Sequence, residues 1–225
     1  MFGNSQVNTF NKLLSKVYAW MSAGLLLTAG TAYYVGHSPA MLKVIVGNPW
    51  VLFGLILAQL GMVIFLSAGI RKLSFGAALA TFLGYSLLNG LTLSFIFLVY
   101  TQASIALTFL VAAGMFAAMA LYGYFTRADL SGMGSFLMMG IFGLVIAGIA
   151  NMFFQSNSFS YVLSGAGVVI FSLLTAYDVQ RLKTLSQYFS GKDEAKLSVI
   201  GALTLYLDFI NLFLYLLRFM GNKKD

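Results

Sequence analysis

Seven runs of roughly 20 predominantly apolar residues, separated by short polar connections, dominate this chain. They are Val17–Gly36, Trp50–Ile70, Phe75–Val99, Ser104–Phe125, Met133–Phe154, Phe159–Asp178 and Leu197–Arg218, and the first five carry no formal charge. A helix of that length crosses a hydrocarbon core of about 30 Å. The alternative of a water-soluble fold fails on charge: only 8% of the residues are Asp, Glu, Lys or Arg, against about 25% in soluble domains. The sequence therefore reads as an all-α membrane protein with seven transmembrane helices. Connections such as Tyr100–Ala103 and Gln155–Ser158 are short enough to make antiparallel neighbours. The first six spans are thus expected as three hairpins, with the seventh standing alone. The whole of 1–225 is read as one domain, with 1–16 a cytoplasmic tail and 219–225 a C-terminal tail.

The remaining composition narrows the class further. Lys12 and Lys16 precede the first run, which at about 20 residues exceeds the core of a cleaved signal and is read as a span. Twenty-three glycines suit close helix packing in lipid. There are no cysteines, so thiolate metal sites and disulfides are excluded. The net charge of +7 comes from residues scattered among loops, which fits topology and anionic headgroups and not nucleic acid. Lys12, Lys16, Arg71, Lys72, Arg127, Arg181, Lys183, Lys192 and Lys196 fall on the N-terminal side, and Lys43, Arg218, Lys223 and Lys224 on the other. The excess places the N-terminus in the cytoplasm.

Two acids lie in the apolar runs. Asp208 sits in the middle of the last one, where an aspartate costs about 2.5–3.5 kcal/mol to insert. Thr204, Asp208, Asn211 and Tyr215 follow at spacings of four, three and four, one polar stripe that lipid cannot satisfy. Asp178 ends the sixth run, and shares a helix face with Thr175 and Arg181. Asp178 can be a boundary residue paired with Arg181 or Lys183, or it can meet Asp208. In the second case two carboxylates at low dielectric share one proton and titrate as a pair, in two steps pushed apart. Such a pair senses pH without histidine. It also offers hard oxygens to calcium, as a possible weak site. Arg71, after the second span, lies on the same side of the membrane. With both spans centred, Asp208 would be 11 residues inside Leu197, about 16 Å deeper than Asp178, so contact requires one span to shift. The apolar spacing of Leu182, Leu185 and Phe189 lets the sixth helix run on past the membrane edge.

Tyr177-Asp178 with Arg181 and Lys183 downstream, followed by Leu205-Tyr206-Leu207-Asp208-Phe209-Ile210-Asn211-Leu212-Phe213, resembles the Bax inhibitor-1 family, also called the transmembrane Bax inhibitor motif family. The resemblance covers essentially the whole chain and is to bacterial members. It implies three helix pairs around a central seventh helix. It also implies a pH-sensitive calcium leak of the bacterial inner membrane, with Asp178 and Asp208 as the proton-sharing sensor and calcium as the permeant ion. Arg71 is the match for an arginine that latches onto the first aspartate. Gln59 stands where some members carry an acid. No cofactor is implied, and some relatives are linked to stress responses.

Two other functions compete. One is a membrane-embedded modulator of a protease or of cell-death machinery, acting on a membrane protein partner. The other is an intramembrane aspartyl protease, for which Tyr177-Asp178 matches one half of the motif. The other half, Gly-x-Gly-Asp, is replaced by Leu205-Tyr206-Leu207-Asp208, and the two prolines, Pro39 and Pro49, leave no Pro-Ala-Leu motif. An enzyme is therefore not expected.

Overall fold

The structure is a computed structural model that describes residues 4–45, 47–69, 72–188 and 192–224. All of its long elements are helices: α1 (Asn4–Gly36), α2 (Pro39–Ile45), α3 (Pro49–Gly69), α4 (Phe75–Leu93), α5 (Ile96–Val99), α6 (Gln102–Phe125), α7 (Met133–Phe154), α8 (Asn157–Leu185) and α9 (Lys192–Met220). Local chemistry sets their ends. Pro39 and Pro49 take the first position of α2 and α3, where a missing N–H costs nothing. Ser74 and Thr101 cap α4 and α6, accepting from the Ala77 and Ser104 amides. Helix α7 stops at Gln155, which takes the left-handed conformation at φ 50°.

Among the described residues, six helices are long and apolar enough to cross a membrane: α3, α4 continued through α5, α6, α7, α8 and α9. Helix α1, which contains the expected first span, is not one of them. Its apolar run is diluted by Tyr18, Trp20, Thr28, Thr31, Tyr33 and Tyr34. The protein is a multi-pass, all-helical membrane protein; a seventh span and the hairpin pairing go beyond that. Helix α1 also begins well before the expected span. Phe10, Leu13, Leu14 and Val17 fall at helical spacing and are buried, so most of the expected tail is an amphipathic helix. The third apolar run breaks at Ser94 and Phe95, between α4 and α5.

The chain forms two compact units, and α9 contributes to both. The first comprises Met1–Tyr100, Leu185–Tyr206 and Lys224–Asp225. In it α4 packs along α1 and against α3. Glycines permit the approach of α1 and α4: a Cβ on Gly90 would stand 2.7 Å from the Thr28 carbonyl oxygen, and one on Gly24 would meet the Phe82 ring. Tyr206 of α9 is wholly buried here, edge-on to the rings of Phe82 and Tyr85. Its hydroxyl meets Thr28 Oγ1 at 2.6 Å and accepts from Asn89 Nδ2 at 2.8 Å. Thr28 donates to the Ser86 carbonyl, so Tyr206 must be the donor to Thr28. At the start of α9, Glu194 pairs with Lys16 of α1 at 2.9 Å.

The second unit comprises Thr101–Thr184 and Leu207–Lys223. Phe109 and Phe116 of α6 pack edge-on to Phe209 of α9. Helices α8 and α9 run antiparallel, with Phe171 stacked on Tyr215 and Tyr161 against Phe219. Gly167 lets the Tyr215 ring lie on the α8 backbone. Helix α7 joins α8 through Asn151 Nδ2, which donates to Ser160 Oγ at 2.6 Å. Burial along the candidate spans ranges from 6% of the window in α3 and 11% in α7 to 72% in α9, so α3 and α7 present their side chains outward and α9 is enclosed.

Candidate functional site

Helix α8 has 29 residues and is about 44 Å long, more than a hydrocarbon core requires. Asp178 lies seven residues before its end and is 6% exposed; Asp208 lies midway along α9 and is 5% exposed. The antiparallel register set by Phe171–Tyr215 and Tyr161–Phe219 carries the two acids to the same level. Their carboxyl groups lie close enough to interact. Helix α8 continues past Asp178 to Leu185, and α9 begins at Lys192.

The two acids have unequal surroundings. Arg181, one turn on from Asp178, brings its guanidinium to 4.0 Å from the carboxylate, with most of its side chain exposed. Asp208 Oδ2 is buried and has no hydrogen-bond partner among the described residues, as is Ser172 Oγ. A buried polar atom left in that state costs roughly 1–3 kcal/mol, more if charged.

The polar stripe does less than its spacing suggests. Thr175 donates to the Phe171 carbonyl at 2.9 Å and Asn211 Nδ2 to the Leu207 carbonyl at 2.8 Å, each within its own helix. Thr204 is half-buried one turn before Asp208 and belongs to the first unit. Arg71 lies outside the described residues. Gln59 donates to Leu88 O and Thr92 Oγ1 of α4, an interhelical role that needs no charge. Among the described residues no three His, Cys, Asp or Glu side chains gather as a metal cluster. Two carboxyls fall well short of the six to eight oxygens of a stable calcium site.

Gln180 escaped the sequence reading, and Lys183, read there as a possible partner of Asp178, has a further one. Gln180 Oε1 accepts from Leu130 N at 2.8 Å, and its Nε2 donates to Ala128 O at 2.8 Å. Lys183 Nζ donates to the Tyr124 carbonyl at 3.1 Å and lies over the Tyr124 ring. Both tie α8 to the end of α6 and the connection after it. Their spacing from Ala176, four and seven residues, puts them on a common face.

Comparison with known proteins agrees with the motif. The family model described as "Inhibitor of apoptosis-promoting Bax1" matches residues 10–225. The "Inner membrane protein YbhL" of Escherichia coli strain K12 is 51% identical over 214 residues, 94% of this chain and 92% of that protein. An uncharacterised protein of Borreliella burgdorferi is 46% identical over 217 residues, covering 96% and 94%. One of Rickettsia prowazekii, RP147, is 42% identical over 218 residues, covering 95% and 91%. The whole-length match, together with the Leu205–Phe213 run on the enclosed helix, shows that the chain belongs to the Bax inhibitor-1 family of multi-pass membrane proteins.

Proposed function

We propose that this protein is a pH-gated calcium leak of the bacterial inner membrane, closed when Asp178 and Asp208 share a proton. One feature supports the reading: two buried carboxyls within interaction range of each other, on the two helices that bear the family motif. Ordinary packing gains nothing from such a pair, since one asparagine would remove the charge and keep the hydrogen bonds. Gating follows from electrostatics. Loss of the shared proton puts two negative charges side by side, and their repulsion separates α8 from α9 along the polar face. The freed carboxylates then attract a hard divalent cation, and the small number of oxygens lets it leave. The inner-membrane location rests on the name of the Escherichia coli relative. In this reading α1 serves as a seventh span, the earlier spans pair as hairpins and the N-terminus is cytoplasmic. Arg71 would compete with the proton by pairing with ionised Asp178.

Intramembrane proteolysis is disfavoured by packing as well as by motif. Leu205, wholly buried, and Leu207 stand where the motif needs glycines to admit a substrate backbone.

The test is calcium flux from protein-loaded liposomes as a function of pH. Wild-type flux should change between about pH 5 and 8. Asp208→Asn keeps size and hydrogen bonding but removes the titration, so its flux should lose pH dependence. Asp178→Asn should behave likewise because the titration belongs to the pair, and the double variant should resemble either single one. Asparagine variants that keep the wild-type profile would place the sensor elsewhere.

A further inference from the structure

Helix α8 has two working faces. Ala176, Gln180 and Lys183 follow at spacings of four and three and form one of them. This face is fastened at three successive points. Gly123 of α6 lets the helix backbone approach the Ala176 carbonyl, where any Cβ would clash. Gln180 holds the connection between α6 and α7 through two 2.8 Å bonds, to Leu130 N and Ala128 O. Lys183 takes the Tyr124 carbonyl, one of those that the end of α6 leaves without a helical donor. The connection is itself well defined: Leu130 is buried, Thr126 Oγ1 accepts from Ala128 N, and Asp129 accepts from Ser131 N at 2.9 Å. The Ser131 contacts hold the Asp129 carboxyl below the usual carboxylate range. The other face carries Phe171 and Asp178 toward α9. Gln180 is two residues from Asp178, about 200° around the helix, so the fastened face and the acidic face are nearly opposite.

We infer that Gln180 is a positioning residue: by pinning α8 to the backbone of residues 128–130, it holds Asp178 at the level and rotation at which it meets Asp208. Its amide reads one backbone donor and one backbone acceptor at once, as a neighbouring strand would, and so fixes both height and rotation. A lone cation or hydroxyl could not do both. The charged groups recorded against Asp178 are Asp208 on α9 and Arg181 on α8, while Lys183 and the connection's Arg127 and Asp129 belong to the fastened side. Gln180 adds no charge to that set, so its effect is geometric. The inference rests on the proposed gating.

The test uses the full chain in liposomes, with calcium flux followed across pH. Q180M keeps the side-chain length and loses both bonds, which water can replace at the exposed connection. Its flux should rise about five- to tenfold at the pH where wild-type flux is lowest, and the midpoint should move by about half a unit or more. Q180A loses the same two bonds without adding charge or bulk, should act in the same direction, and serves if Q180M does not fold. N151L is the control, because Asn151 of α7 likewise makes two bonds, to Ser160 Oγ at the start of α8 and from Ser156 N in the connection before it, 18 or more residues from Asp178 along the chain. It should lower thermal stability and leave the pH profile unchanged. A wild-type profile in Q180M, with D208N flat, would overturn the positioning role and leave the gate intact. Equal changes in N151L and Q180M would reduce the effect to loss of packing. Wild-type flux indifferent to pH would remove the proposed function, and this inference with it.

Discussion

At the scale of single residues, the most committed side chain is Tyr206. Its hydroxyl stands between Asn89 and Thr28 in a directed chain that ends on the Ser86 carbonyl. Because the chain ends on a backbone acceptor, it cannot pass a proton onward and acts as a fastening among α1, α4 and α9. Tyr206→Phe should therefore leave Asn89 Nδ2 unpaired and cost about 1–3 kcal/mol, read as a lowered thermal midpoint in detergent. An unchanged midpoint would mean that the hydroxyl is dispensable. Asp178 and Asp208 stand out in the sequence because a charge in an apolar run is conspicuous at its insertion cost. The partners of Tyr206, Gln180 and Lys183 do not show in the sequence. An aromatic in a span reads as filler and a polar residue near a helix end reads as solvated, and only three-dimensional packing gives them partners.

At the scale of helices, glycine sets how closely backbones approach, and α6 contains a direct comparison. Gly123 lies against the Ala176 carbonyl, whereas a Cβ at Gly114 would meet nothing within 4 Å. Gly123→Ala should push α6 off α8 and cost about 1–3 kcal/mol. Gly114→Ala on the same helix should be neutral or stabilise by up to about 1 kcal/mol through helix propensity. Thermal unfolding of the two variants checks the contrast, and equal effects would contradict the packing described. Apolar length made α3, α6, α7, α8 and α9 readable from sequence, because a helix in lipid must satisfy every backbone group internally. The start of α1 at Asn4 was not read, because the amphipathic spacing of Phe10, Leu13, Leu14 and Val17 was overshadowed by the longer run behind it. The break between α4 and α5 lies within an unbroken apolar run and leaves no mark in hydropathy.

For the whole molecule, topology turns on α1. If α1 crosses the membrane together with the six apolar helices, a reporter fused at the N-terminus reads as cytoplasmic and one fused after Asp225 as external. If α1 lies in the interface, both reporters read on the same side. Translation adds a consequence of a different kind. The ribosome makes α1 first and α9 last, yet α9 has the largest buried share of any candidate span, 72% of its window. Until α9 emerges, Asn89 and the rings of Phe82 and Tyr85 lack Tyr206, Phe109 and Phe116 lack Phe209, and Asp178 lacks Asp208. The nascent protein must wait in the membrane with its polar interior uncovered, so a chain cut short before Lys192 is a substrate for quality control, whatever the soundness of the helices already inserted.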